Sequence, residues 1–171
     1  AKSIAKTLDI PLYIEDKKKE FNDTVVSYFV DSYICGETPN PCVVCNRRIK
    51  FGILVDYALE QGFDAVATGH YARLDQHDES GRYRLLKGLD PAKDQSYVLY
   101  SLSRNQLAHA RFPLGSLDKA TVRRIAVENG FASAKAKESQ DICFIPDGDY
   151  QGFIDRAAPG KVRPGPYLSV D

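Results

Sequence analysis

Four cysteines, at positions 35, 42, 45 and 143, are the residues of this sequence best suited to chemistry. Two of them stand three apart in TPNPCVVCNRRIKF, Thr38 to Phe51. They directly follow a loop rich in turn formers, Gly36 to Cys42. The pattern after that loop predicts a helix starting near Cys42 to Asn46. A thiol at a helix start lies near unpaired backbone N–H groups and the positive end of the helix dipole. Arg47, Arg48 and Lys50 add positive charge. Both effects favour the thiolate, the nucleophilic form of cysteine. Other readings of the same spacing stay open: half of a zinc site, a thioredoxin-like redox pair, or plain structural thiols. Zinc usually takes two such pairs and only one occurs here. The residues around the pair do not match the redox pattern.

Cys143 sits in SQDICFI, Ser139 to Ile145, between Ile142 and Phe144. The burial trend for cysteine favours a core position there, whereas the polar run before it suits a loop. A distant second thiol is what sulfur transfer needs. One sulfur carries the cargo as a persulfide, and another attacks that persulfide to release the product. Two further stretches carry weaker signals. In ATGHYAR, Gly69 at a strand end would let a nucleotide approach the backbone, with His70 at the mouth of the site. In DPAKDQSYVLYSL, Lys93, Asp94 and Gln95 precede an aromatic helix; alone, they read as a solvated loop.

The elements that must position these residues follow from periodicity. Ala1, Ile4, Ala5 and Leu8 recur at helical spacing, and the strand-like PLYIED, Pro11 to Asp16, comes next. A helix is expected from about Lys19 to Tyr33, with Phe21, Val25, Tyr28 and Phe29 on one face. The cysteine helix buries Ile49, Ile53, Tyr57 and Ala58 and stops at Gly62. FDAVATGH, Phe63 to His70, fits a buried strand of a parallel sheet. YARLDQ and YRLLKG flank the polar stretch His77 to Arg82 and predict a hairpin. Helices are expected over Ser96 to Leu102, Arg104 to Ala110 and Asp118 to Asn129, the last capped by Asp118 and Gly130. SQDICFI reads as a loop entering a short strand, and the chain from Pro159 onward as a Pro/Gly-rich linker. Alternating helices and strands imply an α/β fold with a parallel sheet.

Bulk composition narrows the function classes. The 171 residues bury a real core, and 43% hydrophobic with 27% charged residues is ordinary for a globular domain. A formal net charge of zero argues against a dedicated DNA-wrapping protein. No apolar run is long enough to span a membrane, and no secretory signal opens the chain. The cysteines are too sparse for a secreted disulfide scaffold and read as cytoplasmic thiols.

Taken together, TPNPCVVCN–IKF, ATGHYAR, KDQSYVLY and SQDICFI occur in the order found in the tRNA-specific 2-thiouridylases, of the PP-loop ATP pyrophosphatase superfamily, and the chain resembles that family from Ala1 to about Asp155. The resemblance implies a Rossmann-like sheet flanked by helices. It implies a partial nucleotide-binding α/β catalytic domain over 1–90 and a helical tRNA-contacting part over 91–158 that carries the second cysteine. Residues 159–171 would lead into a central β-rich domain. It implies tRNA-uridine 2-sulfurtransferase activity: ATP, with Mg2+, adenylates the 2-oxygen of the wobble uridine in tRNAs for Lys, Glu and Gln, and sulfur then displaces AMP. Cys143 would hold the persulfide and Cys45 would cleave it, leaving a Cys45–Cys143 disulfide. Asn40, Pro41 and Cys42 match the segment that lies against the target base. Some members carry an acid/base Asp where this chain has Cys42. Gly69 matches an ATP-contacting position; His70, Lys93, Asp94 and Gln95 match tRNA-contacting positions. A cysteine desulfurase or sulfur-relay protein would supply the persulfide, and no resident metal is implied. The family's Gly/Ser-rich ATP-cradling loop, of the form SGGVDSS, has no counterpart here, so the sequence reads as an excerpt that is inactive alone. The alternative is a Zn- or thiol-containing RNA-binding module without catalysis.

Overall fold

A computed structural model describes residues 1–76, 81–131, 134, 141–162 and 165. Helix α1 (Lys2–Leu8) stops at Asp9, which takes the left-handed conformation at φ 51°. The following segment is extended but pairs with no described strand, so the strand expected over Pro11 to Asp16 does not form. A strand exists only through its ladder, and here Ile10, Leu12, Tyr13 and Ile14 lie exposed instead.

Helix α2 covers 18–34 and helix α3 covers 41–60. Each is α-helical at its two ends with wider i→i+5 turns between, over Asn22–Val26 in α2 and Asn46–Ile53 in α3. Such turns are rare and recur at functional sites. Gly62, at φ 82°, terminates α3 in the left-handed conformation that glycine adopts without cost. Strand β1 (Val66–Ala67) pairs in parallel with β4 (Ala110–Arg111), in register Val66↔Ala110. Strands β2 (Ala72–Gln76) and β3 (Tyr83–Lys87) form the expected antiparallel hairpin, although residues 77–80 at its tip lie outside the described residues.

The buried strand expected over Phe63 to His70 contracts to Val66–Ala67, with Ala67 exposed, and three further expected elements differ. Over 96–102 the chain makes one 3₁₀ turn, Ser96–Val98, and further tight turns rather than a helix. Leu99 and Leu102 N–H groups bond three residues back, and the Val98 carbonyl accepts from the Asn46 side chain. Helix α4 ends at Ala108 (Arg104–Ala108) because Ala110 is drawn into the parallel ladder. Residues 142–145 form a turn closed by Ile145 N–H to Ile142 O at 2.9 Å, not a strand; Ser139 and Gln140, and most of the tail from 163, lie outside the described residues. Helix α5 (Lys119–Glu128) is capped by Asp118, as expected. Helix α6 (Tyr150–Ala157) begins at the Asp149 cap and was not anticipated from periodicity.

Two buried clusters hold these elements. The first joins Phe51, Val55, Ala72, Val98, Leu99, Leu102 and Ala110. It draws on both sides of the boundary placed at residue 90, so 1–90 and 91–158 share a core. The second joins Phe29 and Val30 of α2 to Ile145 and Ile154. No described helix is long and apolar enough to cross a membrane.

Gly115 reveals how closely the backbone packs at the hairpin. A Cβ added there would lie 1.8 Å from the Ala72 carbonyl oxygen. Gly115→Ala must therefore push two backbone segments apart, at a cost of about 1–3 kcal/mol or more. Chemical denaturation should show that loss, whereas a midpoint equal to that of the unaltered chain would contradict the close approach.

Candidate active site

The cysteine pair is placed by the start of α3. The Asn40 side chain accepts from Cys42 N–H at 3.2 Å and caps the helix, a contact worth about 1 kcal/mol. Pro41 occupies the first helical position, where its missing N–H costs nothing. The helix thus begins just ahead of the expected Cys42 start. Cys42 lies exposed in its first turn and Cys45 half-buried one turn later. Three contacts pin the rest of the helix. Phe51 is 1% exposed in the first core, and Asn46, also 1% exposed, donates from Nδ2 to the Val98 carbonyl at 3.2 Å. Gln106 donates from Nε2 to the Arg47 carbonyl at 2.7 Å while its Oε1 accepts from Ser103 N–H.

Cys143 is placed from the other side. Phe144 packs edge-on to Phe21 and Phe29 of α2, at centroid distances of 5.6 and 5.4 Å, and Ile145 is fully buried. The Asp141 carboxylate accepts from Ile142 N–H and from the Tyr150 hydroxyl of α6. That bond pushes the Tyr150 phenol up to about 12 and holds the Asp141 carboxyl below its ordinary range. Between half-buried Ile142 and Phe144, Cys143 itself stays exposed on the turn, so the core position favoured by the burial trend does not hold.

The structure brings Cys42, Cys45 and Cys143 into one electrostatic neighbourhood. Burial raises the Cys42 thiol pKa first, Cys143 raises it further and Lys50 lowers it. For Cys45, burial raises it, Lys50 lowers it, and Cys143 and Cys42 raise it again. The net shift is upward for both, which corrects the expectation of favoured thiolates. Burial and mutual repulsion outweigh the positive charge, because among the described residues Lys50 alone acts on these thiols; Arg47 and Arg48 line a groove on the far side of the helix. The i→i+5 register between Cys45 and Lys50 turns that lysine towards the thiols. All four cysteines are free thiols, and Cys35 is exposed and takes no part in this group.

His70 shares the influence of Lys50 with this group. It is 7% exposed, packed between the Phe51 and Phe112 rings, with Nδ1 2.7 Å from Thr68 Oγ1. Burial, helped by Lys50, lowers its pKa from 6.5 to about 4, so the ring is neutral at pH 7 and its surface is largely covered. Gly69 before it is exposed, and an added Cβ would meet only Leu114 at 3.6 Å, leaving the backbone open to a ligand. The 93–95 loop is fastened beside it. Gln95 exchanges hydrogen bonds with the Tyr71 backbone, at 2.9 and 3.2 Å. The Asp94 carboxylate accepts from Gly88 N–H and from the Ser96 N–H and hydroxyl. Burial opposes its charge, but these bonds and Lys87 keep its pKa low. Lys93 is half-buried in the same loop. Sequence reasoning did not single out Asn46, Thr68, Gln106 or Tyr150. Only their neighbours in space give them roles, although Asn46 and Thr68 stood inside recognisable motifs.

Two outcomes follow. His70 protonates in the folded chain only near pH 4 but near 6.5 when unfolded, so its stabilising contribution is full above 6.5 and is lost as pH falls towards 4. That difference amounts to up to about 3 kcal/mol. In denaturation series, His70→Gln should flatten the fall in stability across that window, and an unchanged slope would refute the burial. Lys50→Gln should slow alkylation of Cys45 at neutral pH by roughly threefold while leaving Cys35 unchanged, as read by site-resolved mass spectrometry; equal slowing at both would rule out a local charge effect.

Residues 1–147 match the family described as tRNA methyl transferase HUP domain. Along 170 residues, 99% of this chain, the sequence is 51% identical to the tRNA-specific 2-thiouridylase MnmA 2 of Thermoanaerobacter sp. (strain X514), covering 47% of that protein. It is 49% identical over 99% of its length to the tRNA-specific 2-thiouridylase MnmA of Moorella thermoacetica, covering 48% of it. It is 47% identical over its whole length to the MnmA protein of Chloroflexus aurantiacus, again covering 47%. The chain therefore spans about half the length of the curated relatives it matches. Its parallel strand pair, its flanking helices and the match along most of its length agree: the chain belongs to the tRNA methyl transferase HUP domain family, a Rossmann-like α/β fold shared with tRNA-specific 2-thiouridylases.

Proposed function

We propose that this chain carries the sulfur-handling part of a cytoplasmic tRNA-uridine 2-sulfurtransferase. The observation that supports this best is the convergence of Cys42, Cys45 and Cys143, which come from opposite ends of the chain, on one electrostatic neighbourhood beside the Asn40–Pro41 cap. The family description speaks of methyl transfer, whereas the relatives' names speak of thiolation. Gathered thiols favour sulfur as the transferred group.

In this reading, the uridine 2-oxygen first attacks the α-phosphorus of ATP and releases pyrophosphate, which turns a poor leaving group into AMP. Gly69 offers open backbone on the nucleotide side. The terminal sulfur of a Cys143 persulfide, delivered by a cysteine desulfurase or relay protein, then attacks C2 and AMP departs. Cys45 attacks the Cys143 sulfur. The S–S electron pair leaves with the sulfur now on C2, giving 2-thiouridine and a Cys45–Cys143 disulfide that an external thiol must reduce. Because burial keeps Cys42 and Cys45 as neutral thiols at rest, Cys45 must lose its proton when it acts, and Lys50 is the cation placed to stabilise the thiolate. Asn40, Pro41 and Cys42 offer the surface for the target base, with the 93–95 loop and His70 beside it on the tRNA side, and tRNAs for Lys, Glu and Gln are the substrates. Mg2+ would arrive bound to the phosphates of ATP; among the described residues no group of three or more His, Cys, Asp or Glu side chains is arranged to hold a metal ion.

In a full-length enzyme carrying this chain, Cys143→Ser should abolish thiolation from a persulfide donor while tRNA adenylation persists, read as AMP-labelled tRNA. Cys45→Ser should stop multiple turnover with the persulfide donor yet retain activity with free sulfide, which needs no second thiol. Full persulfide-driven turnover in either variant would sink the two-cysteine scheme, and loss of tRNA binding alone in both would favour a non-catalytic RNA-binding module.

A further inference from the structure

The face of α3 opposite the thiols is also built for a ligand. A groove of about 560 Å³ lies between α2, α3 and the 96–102 turns, walled by Tyr28, Asn40, Arg47, Arg48, Tyr100 and Ser101. Its volume is within the ~300–1,000 Å³ range of ligand sites. No acidic residue lines it, and Arg47 and Arg48 are exposed and form no ion pair with a described residue. Tyr100 is 73% exposed and Tyr28 38% exposed, unusual for rings that could otherwise be covered. The Ser101 hydroxyl on the wall has no hydrogen-bond partner among the described residues. Val43 and Val44 supply an apolar floor.

We propose that this groove is a single-stranded RNA subsite that takes the nucleotides adjoining the modified uridine, with Arg47 and Arg48 on their phosphates and Tyr100 stacked on a base. The inference rests on the sulfur-transfer reading, because Asn40 is common to both faces: it caps the thiol-bearing helix and also lines the groove. A strand that presents one base to the Asn40–Cys42 cap must continue past that cap, and the groove is the adjoining space with positive charge and exposed rings. Paired guanidinium groups suit phosphate, and an exposed ring offers a stacking platform to any base. The helix thereby separates its tasks: Lys50 acts on the thiols, and Arg47 and Arg48 face the groove.

The test measures binding of an anticodon stem-loop to the full-length protein by fluorescence anisotropy over a salt series. The double variant Arg47→Gln/Arg48→Gln should weaken binding and reduce the slope of log K against log salt by roughly 1.4, the value for two single-strand phosphates at about 0.7 each. Tyr100→Ala should weaken binding roughly tenfold with the salt slope unchanged, and Tyr100→Phe should restore it. Alkylation of Cys45 at its normal rate in each variant shows that the fold and the thiol face are intact. Normal affinity and slope in the variants, with the unaltered protein binding RNA, would overturn the groove assignment and leave the sulfur-transfer reading standing. Loss of binding to the sulfur-donor protein with RNA binding intact would also overturn it, by giving the groove to a protein. An unaltered protein that binds no RNA would overturn both.

Discussion

The rotational setting of helix α3 governs the rest of the site. Phe51 and Asn46 must both be buried, one for its apolar area and the other because its amide donates to the Val98 carbonyl. A helix that satisfies both demands has little freedom to roll. Cys45 then faces the Cys143 turn, and Arg47 and Arg48 are left to the opposite groove. The wide turns over Asn46–Ile53 form part of this constraint, because they shift Lys50 towards the thiols while keeping Phe51 in the core. A regular α-helix of the same sequence would place the lysine elsewhere relative to Cys45.

The thiols come from two separate packing units. Cys45 stands on the core around Phe51 and Leu99, whereas Cys143 stands on the aromatic cluster around Phe29 and Phe144. The two units meet where Pro41–Cys45 packs against Asn22–Val26, so the gap between the sulfurs depends on that contact. Within that gap the charges are finely set. Burial and the neighbouring sulfurs discourage ionisation of Cys42 and Cys45, and Lys50 opposes them. The same lysine helps keep His70 neutral, so its charge acts on two functional groups at once.

Much of this was legible in the sequence, for identifiable reasons. Long amphipathic stretches declared α2, α3 and α5, and the Asp118 cap marked the start of α5, whereas the Asn40–Pro41 cap of α3 was not recognised as one. The hairpin was readable because alternation survives on both of its strands. Strand β4 was not, because two residues carry no period and Ala110 becomes a strand only by meeting Val66. The 96–102 segment misled because its apolar residues at 98, 99 and 102 suit a helix, yet its carbonyls are claimed by tight turns and by Asn46. The positive charge near the cysteines was visible, but not which cations face them. Side-chain direction depends on the wide turns of α3, which composition does not announce. Asn46 and Gln106 act through partners 52 and 59 residues away, a separation that no local pattern reports.

The separation of the two packing units has a consequence for chain entropy. A bond between Cys45 and Cys143 would close a loop of roughly a hundred residues and tie the two units covalently, removing about 4.7 kcal/mol worth of disorder from the unfolded chain. The spent, oxidised state of the proposed cycle would therefore resist unfolding better than the resting one. Reduction, which must precede loading of a new persulfide, would return that disorder to the unfolded chain.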